Sequence, residues 1–426
     1  MEPARHRTNA TLQSWVIGVY YNVTIYAILW KKPEKIYFRT TGKCRFFQFA
    51  ENGRKGSEIL RIAMFGHKQI PSHRGGIEVA VEALAVRMAK LGHEVTLFSR
   101  GKNKALTTDL YNGVRIRSVP VIDISGIAAV MGSFFAAVRA VLGRYDCIHI
   151  HAEGPALMTF LPHMLGIRTV VTIHGLDWKR SKWGKFASWY LKLGEKCAAK
   201  YADELIVLSR ATQEYFRQTY GRETVYIPNG VEPVQKAEAS LITEQWRLRK
   251  DEYILYLGRI VPEKELLTLI HSFKKVKTNK KLVIAGSSKD MPAYYEEVRQ
   301  AAAEDPRILF VGFAQGQLLE ELFSNSYLYC LPSNIEGMPI SLLEALSFGN
   351  CCVCSDISEC TEVIGEDGFS FPVGNAEKLR ELLQKLCDRN ELVEDCRRRV
   401  GRHFTPVSWD EATEKTLELY QKKESC

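Results

Sequence analysis

Twice along this chain the same pattern recurs: a short apolar run, a loop carrying glycine or proline, an amphipathic helical stretch, then another apolar run. In the first set residues 62–65 are apolar, Val81, Leu84, Ala85 and Met88 share one face of a stretch over 78–91, Gly92 stops it, and residues 94–98 resume the run. Spacings of three and four specify a helix, and short unbroken apolar runs specify strands buried on both faces. Further strands are expected at 114–119, 147–149, 169–173 and 204–208, with helices at 128–142 and 183–200. The second set supplies strands at 253–257, 281–285, 308–311, 327–331 and 351–354, and helices at 264–276, 294–304, 318–323, 341–347 and 376–388. Strands separated by helices are joined by crossovers, which makes the sheets parallel and covers both their faces. The expected fold class is α/β, with two Rossmann-like doubly wound domains facing across a cleft at the carboxyl edges of their strands.

A chain of 426 residues exceeds what one hydrophobic core usually supports. The pattern divides it into an amino-terminal extension (1–58), a first domain (59–228), a polar linker (229–250), a second domain (251–404) and a final helical stretch (405–426). That last helix either crosses back to the first domain or closes the second. Charge sets the extension apart: residues 1–60 hold ten Lys/Arg against four Glu, so most of the formal net charge of +9 sits there. The remainder is nearly balanced and lacks the basic stripe with aromatic platforms of a nucleic-acid surface. A mildly basic surface still suits anionic lipid or a phosphorylated small molecule. Residues 15–30 are apolar between basic flanks but shorter than the roughly 20 residues a membrane helix needs. A weak signal anchor, an interfacial helix and an extension foreign to the fold are the readings open there, and residues 1–58 are expected to be poorly ordered or membrane-associated. Of the eleven cysteines, Cys351, Cys352, Cys354 and Cys360 crowd together without C-x-x-C pairs or partner histidines. Plain packing of reduced thiols is expected rather than metal ligation. Reduced thiols fit a cytoplasmic protein, with a peripheral contact at the inner face of the membrane left open.

The segment from Asn334 to Ala345 carries the strongest chemical signal. Pro339 presets φ for a helix start, which leaves Glu336 in the entering loop and Glu344 in the second turn. Amides at Ile340, Ser341 and Leu342 then project from the helix N-terminus, where unsatisfied N–H groups and the helix dipole favour an anion. Two acids flanking an anion site suit a ligand with hydroxyls on either side of a phosphate. The loop from Gly258 to Lys264 follows strand 253–257 and brings Arg259 and Lys264 to the carboxyl edge. A cation about 4 Å from a phosphate oxygen contributes roughly 4 kcal/mol at an effective dielectric near 20, before desolvation. Such a pair can carry the charge that builds on a departing diphosphate without a metal ion. In the first set, Gly75 and Gly76 join the first strand to its helix and let backbone approach a ligand. His174 follows strand 169–173 and precedes Gly175, in the place where ligands of open sheets bind, with Asp177 one turn on. No two aspartates stand one residue apart, and G-x-S-x-G, H-E-x-x-H and Walker patterns are missing.

The Gly75-Gly76 loop, His174, Pro228-Asn229-Gly230-Val231, Gly258-Arg259 with Lys264, and Glu336 with Glu344 follow one another over roughly residues 60–422. In that order they resemble the GT-B glycosyltransferases of family 4. The resemblance implies retaining transfer from a nucleotide-diphosphate sugar, with Arg259 and Lys264 on the diphosphate, Glu344 on the ribose, Glu336 near the donor sugar and His174 near the reacting centre. It implies a donor site made of Gly75, Gly76, Arg259, Lys264, Gly312, Phe313, Glu336, Gly337, Met338, Pro339, Ile340, Ser341 and Glu344, the nucleobase lying against backbone around Val311 to Phe313. No metal and no cofactor beyond the substrate is implied, and the D-x-D clamp of the other major nucleotide-sugar transferase fold is missing. Residues 62–71, Gly75 to Glu78 and Glu336 to Ser341 look like bacterial rhamnosyltransferases of capsule and exopolysaccharide assembly, which implies a saccharide or lipid-linked saccharide acceptor. Glu265 departs from the family, where many members have glycine; it is expected to tilt the helix or bring an acid near the diphosphate. A nucleotide-sugar epimerase, a phosphorylase and a non-catalytic nucleotide-sugar-binding protein are the other readings of such a scaffold.

Overall fold

The computed structural model describes residues 59–421 except 73–74, 101–107, 123, 125, 181–182 and 288–290, together with four short strands nearer the amino terminus. Those strands, β1 (Ser14–Val16), β2 (Tyr26–Ile28), β3 (Tyr37–Thr40) and β4 (Lys43–Cys44), form an antiparallel sheet in sequence order. They belong to a unit of their own, Met1–Glu58. Within the apolar stretch 15–30 the described residues, 15–16 and 26–28, are strand. The expectations about order and membrane association of residues 1–58 otherwise lie outside the described residues. Among the described residues no helix is long and apolar enough to cross a membrane.

From Ile59 onward two sheets are built. The first contains β5 (Arg61–Phe65), β6 (Glu94–Arg100), β7 (Leu110–Tyr111), β8 (Val114–Val119), β9 (Cys147–His151), β10 (Arg168–Ile173), β11 (Glu204–Val207) and β12 (Val225–Tyr226). Its order is β12-β11-β10-β9-β5-β6-β8-β7, parallel throughout except for β7 against β8. The second contains β13 (Tyr253–Leu257), β14 (Lys281–Ala285), β15 (Ile308–Gly312), β16 (Leu328–Leu331), β17 (Cys352–Ser355) and β18 (Phe369–Phe371). It is wholly parallel, in the order β15-β14-β13-β16-β17-β18. The apolar runs become these strands because helices cover both faces, so no side chain along β9 or β16 meets water. In each sheet the order reverses beside the first strand, between β5 and β9 and between β13 and β16, and the loops that leave those strands frame a crevice.

Sparse apolar residues account for what periodicity overlooked. The helices Arg210–Tyr220 and Asn390–His403 bury only two and three side chains each, within otherwise polar segments. Residues 240–250, read as linker, hold the helix Leu241–Trp246 and sink Ile242 and Leu248 into the second core, while Glu321 accepts hydrogen bonds from the N–H groups of Ser240 and Ile242. Two apolar anchors in eleven residues make no period to detect. The last helix, Trp409–Gln421, crosses back: Trp409, Ala412, Leu417, Leu419 and Tyr420 pack in the first lobe with Ile62, Met64, Leu84 and Met88. Cys330, Cys351, Cys352, Cys354 and Cys360 are free thiols buried in the second core, where they pack as small apolar side chains.

Candidate active site

The second lobe presents its chemistry on the two loops at its switch point. After β13, Tyr256 donates its hydroxyl proton to the Arg259 carbonyl (2.8 Å) and holds the turn that carries Arg259 and Lys264. After β16, residues 332–339 run into the helix Ile340–Ser347, with Pro339 as its cap at φ −74°. Lys264 bridges to Glu336 across these loops, both side chains nearly sealed at 13% and 10% exposure. The helix start offers fewer free amides than expected, because the Pro339 carbonyl folds back to accept from Leu342 (3.1 Å) and Leu343 (3.2 Å), which withdraws Leu342 from the expected set. Ser341 accepts a hydrogen bond from the Tyr329 hydroxyl (2.8 Å). The Glu344 carboxylate has neither an ion pair nor a hydrogen-bonded partner among the described residues, and burial pushes it up to about 7. Gly312 closes β15, where its carbonyl accepts from Gly286 N–H (2.7 Å), and Phe313 beside it is exposed.

Glu265 adopts the left-handed conformation, φ 50° and ψ 37°, which explains why glycine suits this position. Its carboxylate accepts from the Thr268 hydroxyl (2.7 Å) and from Asn334 Nδ2 (2.8 Å), so the acid is tied to the helix start and to the neighbouring loop.

The first lobe meets these loops through backbone as much as through side chains. Gly76 opens the helix Gly76–Lys90, with Gly75 as its cap, and a Cβ on Gly76 would stand 3.9 Å from Ile340 Cδ1. His174 and Gly175 leave β10 and touch Glu336 and Gly337: a Cβ on Gly337 would lie 1.5 Å from the His174 carbonyl oxygen. Glycine is required there by the closeness of two backbones. Asn229 donates its backbone N–H to Met338 Sδ and its side-chain N–H to the Met338 carbonyl, both at 3.2 Å, which ties the crossover between lobes to the same loop.

Two residues that the sequence did not single out complete the centre. Arg180 of the first lobe reaches Asp177 (3.0 Å) and, across the gap, Glu263 (3.4 Å); Glu263, only 5% exposed, also stands 4.0 Å from Arg259. Burial works against the Arg180 charge, but Asp177 and then Glu263 outweigh it, and the net shift is upward. The loop is held from beneath by Glu195, a buried carboxylate that accepts from Trp178 Nε1 (3.0 Å) and from the hydroxyls of Tyr215 (2.8 Å) and Tyr220 (2.6 Å). Asp177 and Arg180 three residues apart were the available signal, and Glu263 lay inside a loop already of interest; only folding shows that they meet.

The family model for Glycosyltransferase Family 4 matches residues 74–235 and that for Glycosyl transferases group 1 matches residues 240–403. The chain belongs to the GT-B glycosyltransferases. An uncharacterized glycosyltransferase of Methanocaldococcus jannaschii is 25% identical, over 85% of this chain and 98% of its own length. A UDP-Gal:alpha-D-GlcNAc-diphosphoundecaprenol alpha-1,3-galactosyltransferase of Escherichia coli is also 25% identical, over 65% and 75%. Among solved structures, sucrose-phosphate synthase from Thermosynechococcus elongatus superposes with a TM-score of 0.73 at 20% identity, covering 85% of this chain and 98% of that one. Anabaena HepE in complex with UDP-glucose gives 0.69 at 18%, covering 84% and 99%. These likenesses establish the fold. In this glycosyltransferase the matched halves meet where His174 and Gly175 touch Glu336 and Gly337 and where Arg180 reaches Glu263, beside Lys264 and Arg259, whereas Gly312 and Phe313 stand two strands away along the carboxyl edge.

Proposed function

We propose that this glycosyltransferase moves a hexose, rhamnose by its narrower resemblance, from a nucleotide-diphosphate sugar to a saccharide or lipid-linked saccharide of the cell surface, with retention and without a metal ion. One observation carries the reading: two cations follow β13 beside a helix N-terminus whose second-turn acid, Glu344, is half-buried with no partner for its carboxylate among the described residues. Arg259 and Lys264 take the diphosphate, Glu344 accepts from ribose hydroxyls, Glu336 faces the donor sugar, and Gly312 and Phe313 flank the base. As the bond from the anomeric carbon to the diphosphate oxygen breaks, negative charge builds on that oxygen and the two cations stabilise it. The acceptor hydroxyl attacks from the same face and passes its proton to the leaving oxygen. Support for a path without an enzymic base comes from the pairing of the gap's acids, since Asp177, Glu263 and Glu336 are each engaged by a cation.

The test begins with a thermal-shift panel of UDP-glucose, UDP-galactose, GDP-mannose and dTDP-rhamnose; a donor at 100 times its dissociation constant adds about 2.7 kcal/mol. With the best donor, Arg259→Ala or Lys264→Ala should lower nucleoside diphosphate release about a hundredfold or more. Unchanged release in both would sink the proposal. A peripheral membrane contact is supported by the helix Lys185–Tyr201, whose outer face shows Lys185, Lys192, Lys196 and Lys200 beside exposed Phe186 and Trp189, while its one acid, Glu195, is buried. The full chain should therefore float with vesicles containing phosphatidylglycerol and not with pure phosphatidylcholine.

A further inference from the structure

Behind His174 the first sheet buries three more imidazoles that the proposed reaction leaves without a task. His149 and His151 are alternate residues of β9 and so share one face of the sheet. Their rings lie one against the other, tilted by 33° with centroids 4.0 Å apart, and His67, just beyond β5, is buried as well. His149 is held at both nitrogens, by the Tyr420 hydroxyl at Nδ1 (2.6 Å) and the Thr172 hydroxyl at Nε2 (2.7 Å). Tyr420 arrives on the helix that crosses back from the second lobe. The stack therefore has a fixed floor. Above it, His151 Nδ1 lies 3.1 Å from His174 Nε2. The next residue, Ala152, sits at φ 72° and ψ 157°. That region is almost exclusive to glycine, costs about 1–3 kcal/mol, and persists where surrounding structure imposes it.

Burial keeps these rings neutral. It lowers His67 and His149 to about 3 and His174 to about 4, and, reinforced by neighbouring imidazoles, holds His151 well below its ordinary value. Between two neutral imidazoles one nitrogen must carry the proton and the other receive it. His151 Nε2 is buried without a partner. An N–H stranded there would be costlier than a bare lone pair, so the His151 proton belongs on Nδ1, aimed at His174 Nε2. His174, with Nε2 occupied as acceptor, must carry its own proton on Nδ1, which has no partner among the described residues.

We propose that His151 is a positioning residue that holds His174 in its Nδ1–H tautomer, so that the cleft meets a hydrogen-bond donor rather than a lone pair. The inference rests on the reading of His174 as a residue at the reacting centre. In metal sites a group that orients a ligating imidazole through its second nitrogen is typically worth about 10–100-fold, and the same scale is expected here.

Selective ¹⁵N-histidine labelling of the full chain, with His174 assigned by its loss in His174→Gln, reads the tautomer directly. A long-range ¹H–¹⁵N spectrum should show the His174 proton on Nδ1; a proton on Nε2 overturns the proposal whatever the variants do. His151→Phe keeps a ring in the stack and removes the donor. It should cut nucleoside diphosphate release from the best donor of the panel 10–100-fold while UDP affinity is unchanged, and His151→Gln, which restores an N–H, should recover part of the loss. In a His174→Ala background His151→Phe should add nothing further. An equal loss in both backgrounds marks a merely structural role and overturns the proposal. If His174→Ala leaves release unchanged, the reading of His174 fails instead, and the spectrum still decides the hydrogen bond.

Discussion

The two walls of the cleft are built on opposite plans. In the second lobe the cations and acids come from two segments at one switch point, each within a dozen residues of sequence, and stand on a strand end and a helix start. In the first lobe the residues come from the ends of β9 and β10, from the start of the helix Gly76–Lys90, and from a tail helix more than two hundred residues later. A wall made of local loops keeps its chemistry when the lobes part. A wall made of distant pieces is shaped by the first lobe's own core and acts on the reaction where it meets the other wall. Binding of the nucleoside diphosphate alone should accordingly follow the second wall, whereas turnover should need both.

Gly337→Ala gives the hardest test of that division. Its new Cβ would overlap the His174 carbonyl, so the lobes must separate by more than a side-chain adjustment. Turnover should fall about a hundredfold, as misplacement by an ångström can cost, while binding of the nucleoside diphosphate alone stays within a few-fold. Equal losses of both would erase the distinction between the walls.

Glu344→Gln probes the second wall through pH. The folded-state carboxyl titrates near 7 against 4.5 for the free group. Between those values the folded chain keeps a proton that the unfolded chain has released, so stability falls as pH rises through this window and is level above it. The variant should therefore be more stable than the parent by about 2 kcal/mol at pH 8 and no more stable at pH 4, measured by urea denaturation. Its donor affinity should drop and lose the decline below pH 7 expected of the parent.

Arg180→Ala addresses the bridge between the walls. Glu263 would keep Arg259 but lose the partner from across the gap, at a cost of about 1–3 kcal/mol. The expected signature is a higher donor KM with a smaller change in kcat, and Arg180→Lys should restore only part because a point charge cannot span Asp177 and Glu263 as a guanidinium does. Smallest of all, Tyr420→Phe leaves His149 Nδ1 without its hydroxyl and should lower stability by about 1 kcal/mol in thermal denaturation, with donor binding untouched.

How far the sequence carried differs between the walls for the same reason. The strands β8, β13 and β14 and the helix Ala376–Asp388 fall on the residues where periodicity puts them, because a buried strand or an amphipathic helix is written in consecutive residues. Arg259, Lys264, Glu336 and Glu344 were legible as a group because each lies one loop from a recognisable strand or helix. Arg180 and Glu263, eighty-three residues apart, and Tyr420 with His149, two hundred and seventy-one apart, have no local signature. Which chain segments meet is set by how two sheets twist and pack, not by any window of residues.

By itself, then, the sequence determined two doubly wound α/β halves and the cations and acids of the second crevice, since both follow from short-range alternation and from where a strand or helix ends. Only the tertiary structure decided that His174 rests on a stack of buried imidazoles, that Gly175 and Gly337 touch, and that the last helix returns to the first lobe. Burial in a common interior creates those contacts, and burial is a property of the whole packed chain.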